Sequence, residues 1–238
     1  HTLTRSRDAY AALSLEAQIS NSSVSTLGAR LYSDRVRKLT ATINGGFYDG
    51  FKGMNEASFA GSPGLGFGSK GRGDANISRS DGDATFTVLS GSYARTQPVG
   101  RSVESYLRLS GQYSATPLLA SEEFGFGGIS AGRAFDPSEF SGDKGVSALF
   151  ELRYLSLNTI ATLKTIPFVY YDAAKIWNYN LDNSALFASS AGFGLKFLSD
   201  YGIVGDVTLA WPLTGEQGAP RWGNGKSPRL LLAVTYQF

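Results

Sequence analysis

The end of the chain constrains the fold more than any other stretch. Residues Leu230 to Phe238 read LLLAVTYQF. Leu230, Leu232, Val234, Tyr236 and Phe238 fall on one face, and Leu231, Ala233, Thr235 and Gln237 on the other. Apolar residues at period two mark a strand with two unlike faces, not a helix. Two readings remain for this segment alone: a membrane strand, or the buried edge strand of a soluble sandwich.

The alternation recurs upstream, and its second face is polar. Val103, Leu107, Leu109 and Tyr113 oppose Glu104, Arg108, Ser110 and Gln112. Val146, Ala148, Phe150, Leu152 and Tyr154 oppose Ser147, Glu151 and Arg153. Ala191, Phe193, Leu195 and Phe197 oppose Gly192, Gly194 and Lys196, and Leu13, Leu15, Ala17 and Ile19 oppose Ser14, Glu16, Gln18 and Ser20. A soluble barrel puts its apolar face inside. Here the charged face suits a wet lumen, and Tyr, Phe and Trp at strand ends suit interfacial girdles. Glu104, Arg108, Glu151 and Arg153 are therefore expected to line a lumen. Charged residues are only 18% of the chain, against about a quarter in soluble domains. No apolar run is long enough for a transmembrane helix, and a barrel needs none.

The spacing predicts about ten strands of membrane-crossing length, at 10–20, 36–49, 54–67, 84–96, 102–116, 145–156, 165–177, 186–198, 201–213 and 228–238. Short turns at Phe51–Gly53, Gln97–Arg101 and Ser199–Tyr201 alternate with long polar loops at 21–35, 68–83, 117–144 and 214–227. Short turns on the periplasmic side and long loops outside are the pattern of outer-membrane barrels. The expected fold is all-β: an antiparallel transmembrane outer-membrane β-barrel.

Catalytic chemistry finds little support. The one His is His1 and there is no Cys, so a His-based general base, a nucleophilic triad and a His/Cys zinc site all lack their residues. No catalytic residue, metal or cofactor is expected. The spacing Gly66-x-Gly68-x-x-Gly71 lacks the following helix that a dinucleotide needs. Glu122 and Glu123 are read as solvated or salt-bridged rather than as an acid–base pair. A net charge of +2 argues against nucleic acid as a partner.

Residues 121–154 read SEEFGFGGISAGRAFDPSEFSGDKGVSALFELRY. This resembles the long sixth outer loop and following strand of the two-partner-secretion transporters, the haemolysin secretion and activation family of the Omp85 superfamily. The matching pieces include Gly132, Arg133, Ala134 and Phe135 at the loop tip, with Ala134 where the family's Arg-Gly-aromatic signature has Gly. Pro167 to Trp177 resembles the family's aromatic-x-Asp-x-Gly strand, through Tyr170, Asp172 and Ala174, again with Ala for Gly. Leu3 to Asp8 and Asp34 to Arg37 resemble its middle strands.

The resemblance implies a non-enzymatic transporter that passes an unfolded secreted exoprotein through its lumen. The length of loop 117–144 and its Phe124, Phe126, Phe135 and Phe140 predict that it folds into the lumen, where Arg133 is expected to pair with Asp172; the alternative is an outer loop with Arg133 in water beside Asp136 or Asp143. The resemblance also implies about sixteen strands in all, with POTRA domains and further strands upstream of residue 1. A last strand ending in Tyr236 and Phe238 resembles the signal that the barrel assembly machinery reads. Outer-membrane lipid and lipopolysaccharide would surround the wall. The alternatives are an Omp85-type assembly factor and a small passive channel barrel that closes on its own strands.

Overall fold

Every strand of the wall pairs with its neighbour in sequence. The computed structural model describes residues 2–6, 8–27, 29–155, 159–160, 163–179, 185–214 and 227–236. The wall strands are β1 (Thr2–Arg5), β2 (Ala9–Thr26), β3 (Ala29–Tyr48), β4 (Met54–Pro63), β5 (Thr87–Val99) and β6 (Val103–Ser114). They continue as β9 (Lys144–Tyr154), β11 (Leu163–Trp177), β12 (Leu186–Ser199), β13 (Ile203–Thr214) and β14 (Arg229–Tyr236). They pair in that order, all antiparallel, with the two-residue β10 (Thr159–Ile160) beside β11. Among the described residues the sheet does not close: β1 and β14 are its two edges.

The register fixes which side chains share a face. Tyr106 sits opposite Glu151, which sits opposite Tyr170, which sits opposite Gly192. This inner face carries Glu104, Arg108, Glu151, Arg153 and Lys196. The outer face carries Leu15, Ile43, Phe59, Leu109, Phe150, Val169, Phe193 and Leu232, all exposed. Leu15 is 78% and Leu230 71% exposed. A water-soluble protein rarely exposes so continuous an apolar surface. In a bilayer it is the face that meets hydrocarbon, and the sheet satisfies its backbone from strand to strand.

The three short turns lie at one end of the sheet. Asp49 closes the first by accepting the Phe51 and Gly53 amides, each at 3.0 Å. The Gly53 amide bond, against some burial and with help from Arg95 and Asn55, holds the Asp49 carboxyl down to about 2. Gly100 and Gly202 take positive φ in the other two turns, where a side chain would be strained.

At the opposite end two expectations need correction. Segment 21–35 is not a loop: β2 and β3 continue as a hairpin to Thr26 and Ala29. Strand β2 has 18 residues, well beyond the roughly 9–11 a tilted membrane strand needs. Its upper part, Asn-Ser-Ser-Val-Ser-Thr, is polar on both faces, so the hairpin projects past the apolar band. Polar composition was read as a loop, but Ser, Thr and Val pair well across strands. Strand β1 was not among the ten strands that the spacing predicts, because four residues are too few to show a period, but it falls where Leu3 to Asp8 resembles a middle strand of the family.

Loop 68–83 is likewise no free tip. It lies along the projecting part of β3, with the Lys70 amide on the Arg35 carbonyl at 2.8 Å and the Ser33 amide on the Asn76 carbonyl at 2.6 Å. Ile77 packs on a core of Val36, Phe86, Val88, Leu118 and Leu119. No helix follows Gly71, so the glycine spacing there holds no nucleotide fingerprint.

Candidate functional site

Loop 117–143 has structure of its own. A single 3-10 turn, Ala120–Glu122, leads into a small hairpin of β7 (Phe124–Phe126) and β8 (Phe140–Gly142). Phe126, Phe135 and Phe140 pack together, with Phe135 edge-on to Phe140 at 4.9 Å. The same cluster takes in Ala174 and Ile176 of β11 and Ala188 of β12. The loop thus lies on the inner face of the wall, held by burial of its aromatic residues.

Its tip, Gly132 to Phe135, meets the wall through two carboxylates with separate roles. Asp172, fully buried, accepts the backbone amides of Gly132 at 2.8 Å and Arg133 at 3.3 Å. Its other oxygen takes the Ser190 hydroxyl. The Arg133 guanidinium instead meets Glu151, Nη2 to Oε1 at 2.5 Å. The expected side-chain pair of Arg133 with Asp172 is therefore corrected. The backbone at the tip reaches Asp172 first, so the long side chain passes on to the next inward-facing residue of β9.

Glu151 is the centre of this charge cluster. It takes Arg153 at 2.7 Å and Lys196 at 3.4 Å besides Arg133, and Arg153 also reaches Glu104 at 3.1 Å. Three cations thus converge on one buried carboxylate. Arg133 also lies over the Tyr170 ring at 4.5 Å and the Phe168 ring at 5.5 Å. Those rings lie flat across β12 because Gly192 and Gly194 stand opposite. A Cβ at Gly192 would come within 2.8 Å of Tyr170, and one at Gly194 within 2.6 Å of Phe168.

Ala134 costs the tip nothing in backbone strain. Positive φ in the loop falls on Gly127, Gly128, Gly132 and Ser138, not on residue 134. Ala134 is buried against Leu149, Phe168, Tyr170 and Ala210. Ala174, the other departure from the resembled pattern, is buried under the loop's phenylalanines.

A second network anchors the loop where it joins the wall. Asp143, fully buried, accepts Arg79 at 2.7 Å and 3.3 Å, the Leu118 amide at 2.7 Å and the Tyr179 amide at 3.0 Å. Arg79 also reaches Glu123 at 2.5 Å and Asp81 at 3.1 Å. Burial works against the Arg79 charge, but the Asp143 bond and the surrounding carboxylates outweigh it and raise its pKa. Glu122 pairs with Lys38 at 2.7 Å. Far along the chain, Arg229 of β14 holds Asp136 at 2.6 Å.

Of the residues singled out by sequence, Gly132, Arg133, Tyr170, Asp172 and Glu151 converge on one site, with Arg153 and Glu104 beside it. Arg108 is on the inner face but exposed, with no ion pair among the described residues. Tyr236 faces outward at 62% exposure, and Phe238 lies outside the described residues. Ser190, Arg79 and Arg229 were not anticipated, and Asp143, an alternative partner of Arg133, instead pairs with Arg79. Alternation could have placed Ser190 on the inner face, but no local pattern marks the others. Among the described residues no group of acidic or His side chains could hold a metal ion.

An antiparallel wall, apolar outside and charged inside, with a long loop bound to its inner face, defines a transmembrane β-barrel of the outer-membrane type. The family is set by its sequence: the model of the haemolysin secretion/activation proteins ShlB/FhaC/HecB matches residues 1–197, and the chain belongs to that family. Two solved structures share the fold. CdiB from Escherichia coli superposes with a TM-score of 0.79 at 21% identity, covering 98% of this chain and 42% of its own length. CdiB from Acinetobacter baumannii gives 0.73 at 15% identity, covering 98% and 40%. The chain thus spans about two-fifths of the length of either structure. No curated protein sequence matches.

Proposed function

We propose that the chain is part of the wall of an outer-membrane transporter that passes an unfolded partner protein to the cell surface by two-partner secretion. The observation that carries this reading is the family match over residues 1–197. The inner face supports it. An unfolded chain carries unsatisfied backbone groups that cannot cross hydrocarbon, and a charged, wettable wall gives them an alternative. Glu104, Arg108, Glu151 and Arg153 form part of that path. The tip residues Gly132, Arg133, Ala134 and Phe135, docked on Tyr170, Asp172 and Ala174, hold loop 117–143 across it. The loop is bound to the wall by side-chain packing and polar contacts, and its own hairpin is a separate sheet from the wall, so it can yield without unfolding the wall. Lipid and lipopolysaccharide cover the outer face.

The test is secretion of the partner by cells that make the complete transporter. Release of the partner into the medium, lost when Arg133 or Glu151 is replaced while barrel levels hold, supports the reading. A partner found inserted in the outer membrane instead would favour an assembly factor.

A further inference from the structure

We infer that the outer face of the wall carries a binding site for a phosphorylated, acylated glycolipid of the outer leaflet, built on Lys144 and Lys175. The inference rests on the membrane orientation proposed above. On β4 to β14 the outward-facing charged residues are Arg95, Lys144 and Lys175, and no carboxylate shares that face among the described residues. Arg95 lies at the short-turn end and is neutralised by Asp49 at 2.6 Å. The two lysines lie at the long-loop end with no carboxylate partner among the described residues.

They are also neighbours. Lys144 stands opposite Trp177, and Lys175 stands opposite Val146, so the two are diagonal across the β9–β11 pair. Like charges in such positions repel, and an anion between them removes the cost. Both are held against rings: Lys144 over Tyr113 at 4.9 Å and Tyr179 at 4.0 Å, Lys175 over Trp177 at 5.4 Å. Beside Lys144 is a hollow of about 500 Å³ that includes Tyr113, Trp177 and Val146.

Val146 also borders a larger trough, of about 650 Å³, which runs on from that hollow toward the membrane centre. Its walls are Tyr93, Leu109, Val146 and Phe187, and Gly91 and Gly111 are in its floor. The sheet itself does not require those glycines. A Cβ at Gly91 would find its nearest neighbour at 3.5 Å, and so would one at Gly111, which is ordinary contact. A strand glycine that packing does not require often marks a place where a ligand comes close. A cationic, aromatic-rimmed hollow above an apolar trough fits a phosphate above acyl chains. It fits neither a free phosphate, which has no use for the trough, nor a neutral lipid, which has no use for the lysines.

The experiment is native mass spectrometry of the complete transporter in micelles with bis-phosphorylated lipid A, phosphatidylglycerol or inorganic phosphate. Folding of each variant is checked by heat-modifiable migration. Wild type should retain lipid A in preference to phosphatidylglycerol and should retain no inorganic phosphate. The K144Q/K175Q variant should bind lipid A about 30-fold more weakly, from roughly 1 kcal/mol per lysine. Gly111→Leu keeps both lysines but fills the trough, and should also lose lipid. Equal retention by wild type and both variants would overturn the site, as would phosphatidylglycerol binding as well as lipid A, or phosphate binding alone. Secretion is scored separately on the same strains. Failure of wild type to secrete counts against the transport reading, and loss of lipid contrast counts only against this site.

Discussion

Asp172 holds Arg133 by its backbone and leaves its side chain free for Glu151: the Arg133 amide is 3.3 Å from Asp172, and the guanidinium 2.5 Å from Glu151. One residue thereby joins the loop to two wall strands, β11 and β9.

The division of labour predicts which double mutants couple. Arg133→Ala keeps the amide that Asp172 accepts, so Arg133→Ala and Asp172→Ala should combine nearly additively in the stability of the docked loop. Arg133→Ala and Glu151→Ala should fall short of additivity by about 1–3 kcal/mol. Protease susceptibility of loop 117–143 in the complete transporter measures both cycles. Strong coupling of Arg133 to Asp172 with none to Glu151 would contradict the geometry.

Glu151 should be the most sensitive position of the cluster. Removing Arg133 leaves Glu151 with Arg153 and Lys196. Removing Glu151 leaves the buried Arg133 facing Arg153 and Lys196 without its carboxylate, and breaking a buried pair this way costs about 3–5 kcal/mol. Glu151→Gln should therefore loosen the loop more than Arg133→Gln does. Arg133→Lys should fall between wild type and Arg133→Gln, because Lys keeps the charge but not the planar fork of donors. Secretion and loop proteolysis that follow the reverse order would reject this ranking.

The wall was legible in the sequence and the loop contacts only in part, for a physical reason. Period two is a local property, so the faces of β6, β9, β11 and β12 follow from Leu107, Phe150, Val169 and Phe193 without any knowledge of partners. The pairing of β12 with β13 also follows, since the short turn at Ser199–Tyr201 leaves few alternatives. Which carboxylate meets Arg133 depends on where a long loop comes to rest, and spacing carries no information on that. Asp172 and Glu151 both sit on the inner face, and only the distance from the tip chooses between them. Arg79 and Arg229 lie 64 and 93 residues from Asp143 and Asp136, beyond any local signal. The hairpin at 21–35 misled for the opposite reason. Its Ser and Thr residues are polar enough for a loop, yet they form strands once β2 and β3 are aligned below them.

Arg79 should act as the outer latch of the loop. It joins loop 68–83 to both ends of loop 117–143 through Glu123 and Asp143. Asp143 is fully buried, and without Arg79 it keeps only the Leu118 and Tyr179 amides. Arg79→Ala should expose both loops to protease together, with the wall strands unchanged by circular dichroism. Salt should have little effect on wild type, since buried pairs are poorly screened. Cleavage in loop 68–83 alone would show that the two loops are not joined there.

Topology can be read with thiols at exposed positions. Ala75, in the segment along β3, and Arg101, in the turn before β6, are both exposed and lie at opposite ends of the sheet. In cells that make the complete transporter, Ala75→Cys should react with an impermeant thiol reagent on intact cells. Arg101→Cys should react only after the outer membrane is opened. Equal labelling of the two on intact cells would reject the orientation, and with it the leaflet assigned to Lys144 and Lys175.

The first short turn supplies a pH test. The Asp49 carboxyl is lowered from an ordinary 3.8 to about 2, chiefly by the Gly53 amide, with Arg95 and Asn55 adding to it. A carboxyl with a depressed folded pKa contributes stability above its unfolded value and loses it as pH falls through the folded one. The contribution of Asp49 should thus be complete above about pH 4 and fade toward pH 2. Amide exchange at Phe51 and Gly53 reads the turn directly, since both amides donate to Asp49. Protection should hold down to about pH 3 in wild type, once intrinsic exchange is corrected for. In Asp49→Ala, which removes the acceptor, protection should be low and flat with pH. Wild-type protection lost already at pH 5, or retained in Asp49→Ala, would show that another group closes the turn.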